Sequence, residues 1–261
     1  TLTPVVPPAP AAVADTSIGN YDTNQTLNIL SNDTPGDASA PLVPSTVKLC
    51  GTGQTPNNCN VTTLVVANQG TYTVNSDGSV TFDPLPTFSG TATAVTYQVA
   101  DSLGQVTSAT ITPTVYAPPN AVNDTSSGNY DTNQVISPLS NDVDGSGTID
   151  ATTVKLCSSG QVAPNCTATT LTVAGQGTYT VNANGTVTFD PLPTFRGTAT
   201  AVTYQARDTL GQYVDATITP TVTAPTAPVA TAQTLSVLRS GTATYTSITG
   251  TSGLATGTQL Q

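Results

Sequence analysis

The chain has 261 residues with 15 acidic side chains against 5 basic ones, a net charge of −10, and no His, Met or Trp; every acid is Asp, since Glu is absent. Without imidazole, the Ser-His-Asp and Cys-His arrangements and the common transition-metal sites are excluded, and the acidic balance argues against nucleic acid and anionic lipid as partners. Thr is about a fifth of the residues while the helix formers Glu, Lys, Met and Arg are scarce, so an all-β fold and a non-enzymatic role are expected.

In chain order, Thr1-Leu2-Thr3-Pro4-Val5-Val6 aligns without gaps with Thr110 to Val115, so residues 1–12 read as the last strand of a preceding repeat followed by the Pro-rich joint Pro7 to Pro10. Strands are then expected near Gln25 to Leu30, Thr46 to Cys50 and Val61 to Val66. Tyr72 and Val74 alternate with Thr, Ser76-Asp77-Gly78 turns the chain, and Val80 and Phe82 alternate again, which is the signature of a β-hairpin. Val95, Tyr97 and Val99 lead through Asp101-Ser102-Leu103-Gly104 into a long strand from Val106 to Val115. About seven strands result, the number expected of an immunoglobulin-like sandwich.

This unit occurs twice. Thr46-Val47-Lys48-Leu49-Cys50 returns at Thr153 to Cys157 with an offset of 107, as do Phe82 to Phe88 at Phe189 to Phe195 and Gly90 to Gln98 at Gly197 to Gln205. Gly19-Asn20-Tyr21-Asp22-Thr23-Asn24-Gln25 returns at Gly128 to Gln134 with an offset of 109, so two residues are lost in between. Residues 13–117 and 118–224 are therefore expected to be tandem immunoglobulin-like antiparallel β-sandwich domains. The joints Ala117-Pro118-Pro119 and Ala224-Pro225-Thr226-Ala227-Pro228 are short and Pro-rich, so the domains are expected end to end as a rod. Residues 225–261 read as a linker and a partial third repeat; alternatively residues 1–6 and 229–261 are assembly strands that join neighbouring molecules head to tail. No apolar run approaches the roughly 20 residues a membrane span needs, so no membrane insertion is expected of this segment.

Cys50 and Cys59 are matched by Cys157 and Cys166 at equal spacing. Two disulfides are expected, one per copy, and they place the chain outside the cytoplasm; four thiolates around one metal would need Cys from two domains with no Cys-x-x-Cys spacing. Closing the Gly51 to Asn58 loop contributes about 3 kcal/mol by the loop-entropy estimate. Asp142, Asp144 and Asp150 lie in a Gly-containing run whose alternating oxygen donors suit calcium, although the Glu that closes an EF-hand is missing; an acidic inter-strand turn is the simpler expectation, and no other cofactor is called for. Lys48 and Lys155 share one strand position, and alternation with Val and Leu points them to solvent and away from an isopeptide crosslink. The Thr-x-Thr runs Thr71 to Thr73 and Thr110 to Thr114 suit the solvent face of an antiparallel sheet better than an ice- or sugar-binding array. The sequons at Asn24, Asn60, Asn123 and Asn184 matter only in a glycosylating host.

Leu30-Ser31-Asn32-Asp33, the Thr-Val-Lys-Leu strand, Gly70 to Val74 with Gly78 and Val80 to Pro84, Phe88 to Thr93, and Asp101 with Gly104-Gln105 together resemble the CshA-type fibril repeat, in both copies. The Cys pairs are not part of that pattern, and no Leu-Pro-x-Thr-Gly sorting motif occurs. The resemblance implies a stalk module of a bacterial cell-surface fibrillar adhesin that spaces a binding region from the cell. Neighbouring repeats, or copies of the chain end to end, are then the partners. Two alternatives stand beside it: a subunit of an extracellular filament, and a module that binds a host glycan or protein through loops such as Gly51 to Asn58.

Overall fold

The computed structural model describes residues 6–225. The strands expected over residues 1–6 and 229–261 thus lie, Val6 apart, outside the described residues. In the first copy the order is β1 (Asp15–Gly19), β2 (Gln25–Leu27), a 3-10 turn (Pro44–Thr46), β3 (Lys48–Leu49), β4 (Thr63–Val66), β5 (Gly70–Val74), β6 (Val80–Pro84), β7 (Gly90–Thr91), β8 (Val95–Ala100) and β9 (Val106–Val115). The second copy repeats it as β10 (Asp124–Asn129), β11 (Gln134–Ile136), a 3-10 turn (Pro138–Ser140), β12 (Ile149–Leu156), β13 (Thr170–Val173), β14 (Gly177–Val181), β15 (Val187–Pro191), β16 (Gly197–Thr198), β17 (Val202–Asp208) and β18 (Tyr213–Thr223).

Each copy forms two sheets. One runs β1-β9-β8-β3, with β7 also on β9, and the other β2-β6-β5-β4; the second copy has β10-β18-β17-β12, with β16 on β18, and β11-β15-β14-β13. The pairing is antiparallel, as expected of the sandwich, with one addition per copy: β1 runs parallel to β9 from Asp15↔Ile111 to Gly19↔Val115, and β10 parallel to β18 from Asp124↔Ile218 to Asn129↔Thr223. By contacts the chain groups into two compact units. One holds the first copy with Asp142–Thr153 and Gln205–Asp215; of the described residues the other holds Val122–Asn141, Val154–Tyr204 and residues 216–225.

The period-2 pattern explains the core. On β8, Val95, Tyr97 and Val99 are buried while the residues between them are half-exposed. They meet Tyr72, Val80 and Phe82 of the facing sheet, together with Ile29, Leu49 and Ile111. Tyr72 and Phe82 are cross-strand neighbours with ring centroids 4.6 Å apart, and Phe88 closes on Phe82 edge-on at 6.4 Å. Tyr179, Phe189 and Phe195 repeat these distances in the second copy. Each such ring contributes roughly 1.5–3 kcal/mol by leaving water. Gly70 makes the packing feasible: a Cβ there would lie 2.4 Å from the Asp83 carbonyl oxygen and 2.7 Å from the Phe82 ring.

Candidate functional site

The repeated Gly-Asn-Tyr-Asp-Thr-Asn-Gln motif builds a tie between the two sheets of each copy. Gln25, buried on β2, accepts the Ser17 hydroxyl of β1 at 2.5 Å through Oε1 and donates through Nε2 to the Thr114 carbonyl of β9 at 3.0 Å. Gly19 leaves room for it, since a Cβ there would stand 2.7 Å from Gln25 Cγ. In the second copy Gln134 repeats the tie with Ser126 at 2.6 Å and Thr221 at 3.0 Å, with Gly128 in the place of Gly19. One satisfied polar side chain thus joins the first strand, the last strand and the opposite sheet.

A second fastening closes a loop. Cys50 is bonded to Cys59 and Cys157 to Cys166, each across a sequence separation of 9 and with Cα atoms 4.2 and 4.4 Å apart. Inside the loop, Gln54 Oε1 accepts the Gly51 N–H at 2.7 Å while its Nε2 donates to Asn60 Oδ1 at 2.7 Å. Gln161 does the same with Ser158 N–H at 3.0 Å and Thr167 Oγ1 at 3.2 Å. Thr52, Thr55, Pro56 and Asn57 remain exposed on a loop held at its base.

The acids divide into turn caps and a buried pole. Asp144 Oδ1 accepts the Ile149 N–H at 2.8 Å, and Asp150 Oδ1 accepts the Thr152 hydroxyl at 2.7 Å and its N–H at 2.9 Å. The Thr152 hydroxyl and N–H hold the Asp150 carboxyl below the usual carboxylate range. Asp142 is half-buried. Among the described residues, no group of three or more His, Cys, Asp or Glu is placed to hold a metal. Lys48 and Lys155 are both half-buried, and Lys48 pairs with Gln98 across β3 and β8. Thr hydroxyls meet across strands at Thr26 and Thr81, 3.0 Å apart, and at Thr91 and Thr114, 3.2 Å apart, which is ordinary cross-strand pairing.

Two acidic arrangements have no periodic signature in the sequence. The Tyr97 hydroxyl donates to Asp33 Oδ2 at 2.8 Å, and Asp33 Oδ1 accepts the Val13 N–H at 2.8 Å. Asp15 Oδ2 lies buried without a hydrogen-bond partner; burial, and next the charge of Asp33, push the Asp15 carboxyl up to about 6. Burial also raises Asp33, and burial and the Asp33 carboxylate raise Tyr97. The other arrangement is the Asp-x-Leu-Gly-Gln turn after β8 and after β17. Asp101 Oδ1 accepts the Leu103 and Gln105 N–H groups at 3.0 and 2.8 Å, and Asp208 Oδ1 accepts those of Leu210 and Gln212 at 2.9 and 2.7 Å. Repetition of that pentapeptide in both copies was the available signal; that its Asp is only 3% exposed in each was not legible.

The family described as the surface adhesin CshA repetitive domain matches this chain twice in tandem, over residues 7–115 and 116–222. No curated protein matches it. Among solved structures, the chain is similar to the I-band fragment I67-I69 from titin (8% identity, TM-score 0.34, covering 83% of this chain and 66% of that one). It is similar as well to mouse cadherin-23 EC22-24 (11%, 0.35, 83% and 64%) and to protocadherin gamma B7 cadherin domains 1-4 (11%, 0.35, 85% and 52%). The chain thus spans about half to two thirds of the length of these solved chains, and likenesses this distant carry nothing about function.

Proposed function

Since the chain belongs to the family of the surface adhesin CshA repetitive domain and is an adhesin repeat module, we propose that its copies serve as stalk modules, spacing a binding region from the cell without catalysing a reaction. The observation that carries this reading is the parallel pairing of each copy's first and last strands. Tension on the two ends of a copy pulls a parallel pair along its own axis in opposite directions. All bonds of the ladder are then loaded together, whereas an antiparallel end pair would open one bond at a time. The Gln25 and Gln134 ties add a polar link from that ladder to the opposite sheet. The disulfides, which suit an extracellular, cell-surface location, keep the Gly51 to Asn58 loop and its counterpart from paying out under load.

The pinned, exposed loops favour a second reading, a glycan- or protein-binding module. The two readings separate when the chain, with an epitope at one end, is displayed on a surface and residues 118–224 are deleted. The stalk reading expects the epitope to drop toward the surface and the chain itself to bind no glycan or host protein. An unchanged height, or saturable binding lost with the loop, overturns it.

A further inference from the structure

Asn20 and Tyr21 follow β1 and take part in a contact inside the first compact unit. Asn20 Nδ2 donates to the Leu210 carbonyl at 3.2 Å, and the Tyr21 N–H donates to Gln212 Oε1 at 3.1 Å. Gln212 Nε2 donates in turn to the Ala117 carbonyl at 3.2 Å, and the residue is 9% exposed. A turn of the second copy, Asp-Thr-Leu-Gly-Gln, thus fills a seat made by the Asn-Tyr pair and the Ala-Pro joint of the first.

The chain carries a second turn and a second seat. Asp101-Ser102-Leu103-Gly104-Gln105 has the same Asp-anchored geometry as the seated turn, yet Leu103 is 58% exposed and the Gln105 side chain bonds to none of the described residues. Asn129 and Tyr130, identical in type to Asn20 and Tyr21 and set in the same seven-residue motif, form the other seat; Asn129 is exposed where Asn20 is half-buried. The ladders differ in step with this. In the filled copy, β1 and β9 pair as far as Gly19↔Val115, and the Tyr21 N–H goes to Gln212; in the other, β10 and β18 pair one residue further, to Asn129↔Thr223.

We infer that the Leu103-Gly104-Gln105 turn of one copy of this chain docks on the Asn129-Tyr130 seat of a second copy. The docked contact repeats the one formed by Leu210 and Gln212 on Asn20 and Tyr21. Asn129 Nδ2 takes the Leu103 carbonyl, and the Tyr130 N–H leaves the last ladder pair for Gln105 Oε1. The occupant is another copy because the turn and the seat, neither of which holds such a contact among the described residues, match the filled pair residue for residue at Asp, Leu, Gly, Gln, Asn and Tyr; Asn129 Oδ1 accepts the Thr223 hydroxyl at 3.4 Å, and its Nδ2 is the group that meets the docked carbonyl. Arg196, which stands over the Tyr130 ring and donates to the Pro193 and Phe195 carbonyls, occupies the ring face and not the Asn129 amide. The inference deepens the stalk reading and rests on it, since modules that follow one another need a repeatable end contact.

The test uses the full chain with single cysteines and a short bismaleimide. Leu103→Cys mixed with Thr132→Cys, which leaves the Asn129 amide in place, should give the mixed dimer in several-fold excess over either like pair, and Gln105→Ala added to the first variant should remove the excess. Thr23→Cys with Leu210→Cys in one chain should link within the molecule. In the unaltered chain, the side-chain amide resonances of Gln105 and Asn129 should move with concentration while those of Asn20 and Gln212 stay fixed. A random mixture of dimers, or amide resonances independent of concentration, overturns the docking, and does so even where pulling experiments leave the stalk reading intact.

Discussion

The two copies share a core to within the precision of their ring distances and differ at their ends. Tyr72-Phe82-Phe88 and Tyr179-Phe189-Phe195 have matching centroid separations of 4.6 and 6.4 Å. At the turn after β8, by contrast, Leu103 is 58% exposed, whereas its counterpart Leu210 is half-buried beside a fully bonded Gln212. At the opposite end, Ser89 of the first copy is replaced by Arg196, whose guanidinium lies 3.4 Å from the Tyr130 ring centroid. Core positions are dictated by the sandwich itself, so repetition preserves them. End positions answer to what stands next to them, and there the same motif has two environments.

The comparison can be broken most forcefully in the core. Phe82→Ala and Phe189→Ala should each destabilise their own copy by about 3–5 kcal/mol, because both rings are fully buried and packed on two aromatic neighbours. Chemical denaturation followed separately in each copy checks this, and clearly unequal losses would show that the cores are not equivalent. Replacing both members of one Cys pair by Ser should cost about 3 kcal/mol in either copy. Limited proteolysis should then cut at residues 51–58 or 158–165 before anywhere else.

A smaller effect should appear in the first copy with pH. The Asp15 carboxyl titrates at about 6 in the folded chain. Its folded pKa is raised, so the contribution to stability is fully present below the unfolded value near 4 and is lost as pH rises through about 6. Going from pH 7 to pH 5 should therefore stabilise the first copy, by about 1 kcal/mol after allowing for the solvent exposure of the group. Asp15→Asn should flatten that part of the profile, as followed by thermal unfolding. The Asp37, Asp77 and Asp150 carboxyls, held low by their Ser39, Ser79 and Thr152 bonds, act in the opposite sense and only toward more acid pH. Smallest of all, Arg196→Ser removes a cation–π contact worth about 0.5–1 kcal/mol and makes the second copy more like the first. A melting temperature of the second copy that does not fall would show the contact to be idle.

Much of the fold is legible in the sequence because period-2 alternation reports burial directly. Val95, Tyr97 and Val99 on β8, and Val80 and Phe82 on β6, are buried as their alternation requires. β1 escaped that reading. Asp15-Thr16-Ser17-Ile18-Gly19 has one large apolar residue, exposed at Ile18, and becomes a strand through bonds to β9 nearly a hundred residues later. The two-residue strand β7 is equally invisible, since Gly90 and Thr91 are both exposed. At the candidate site, equal Cys spacing marked the loops. The Gln25 tie and the Asp15-Asp33 pole depend on distant partners in three dimensions: the repeated heptapeptide that ends at Gln25 and Gln134 marked a motif without showing what it joins, and no local pattern marks the pole.

The most direct test of the account is to pull the oxidised and the reduced chain end to end, one molecule at a time. A stalk module whose end strands are loaded in shear should yield two distinct force peaks. The contour length released at each should be shorter in the oxidised chain by roughly 30 Å, the length of the disulfide-closed segment at about 3.4 Å per residue. The second copy, with its longer parallel ladder, should resist at least as strongly as the first. Extension without force peaks, or with equal increments in both redox states, would contradict the account.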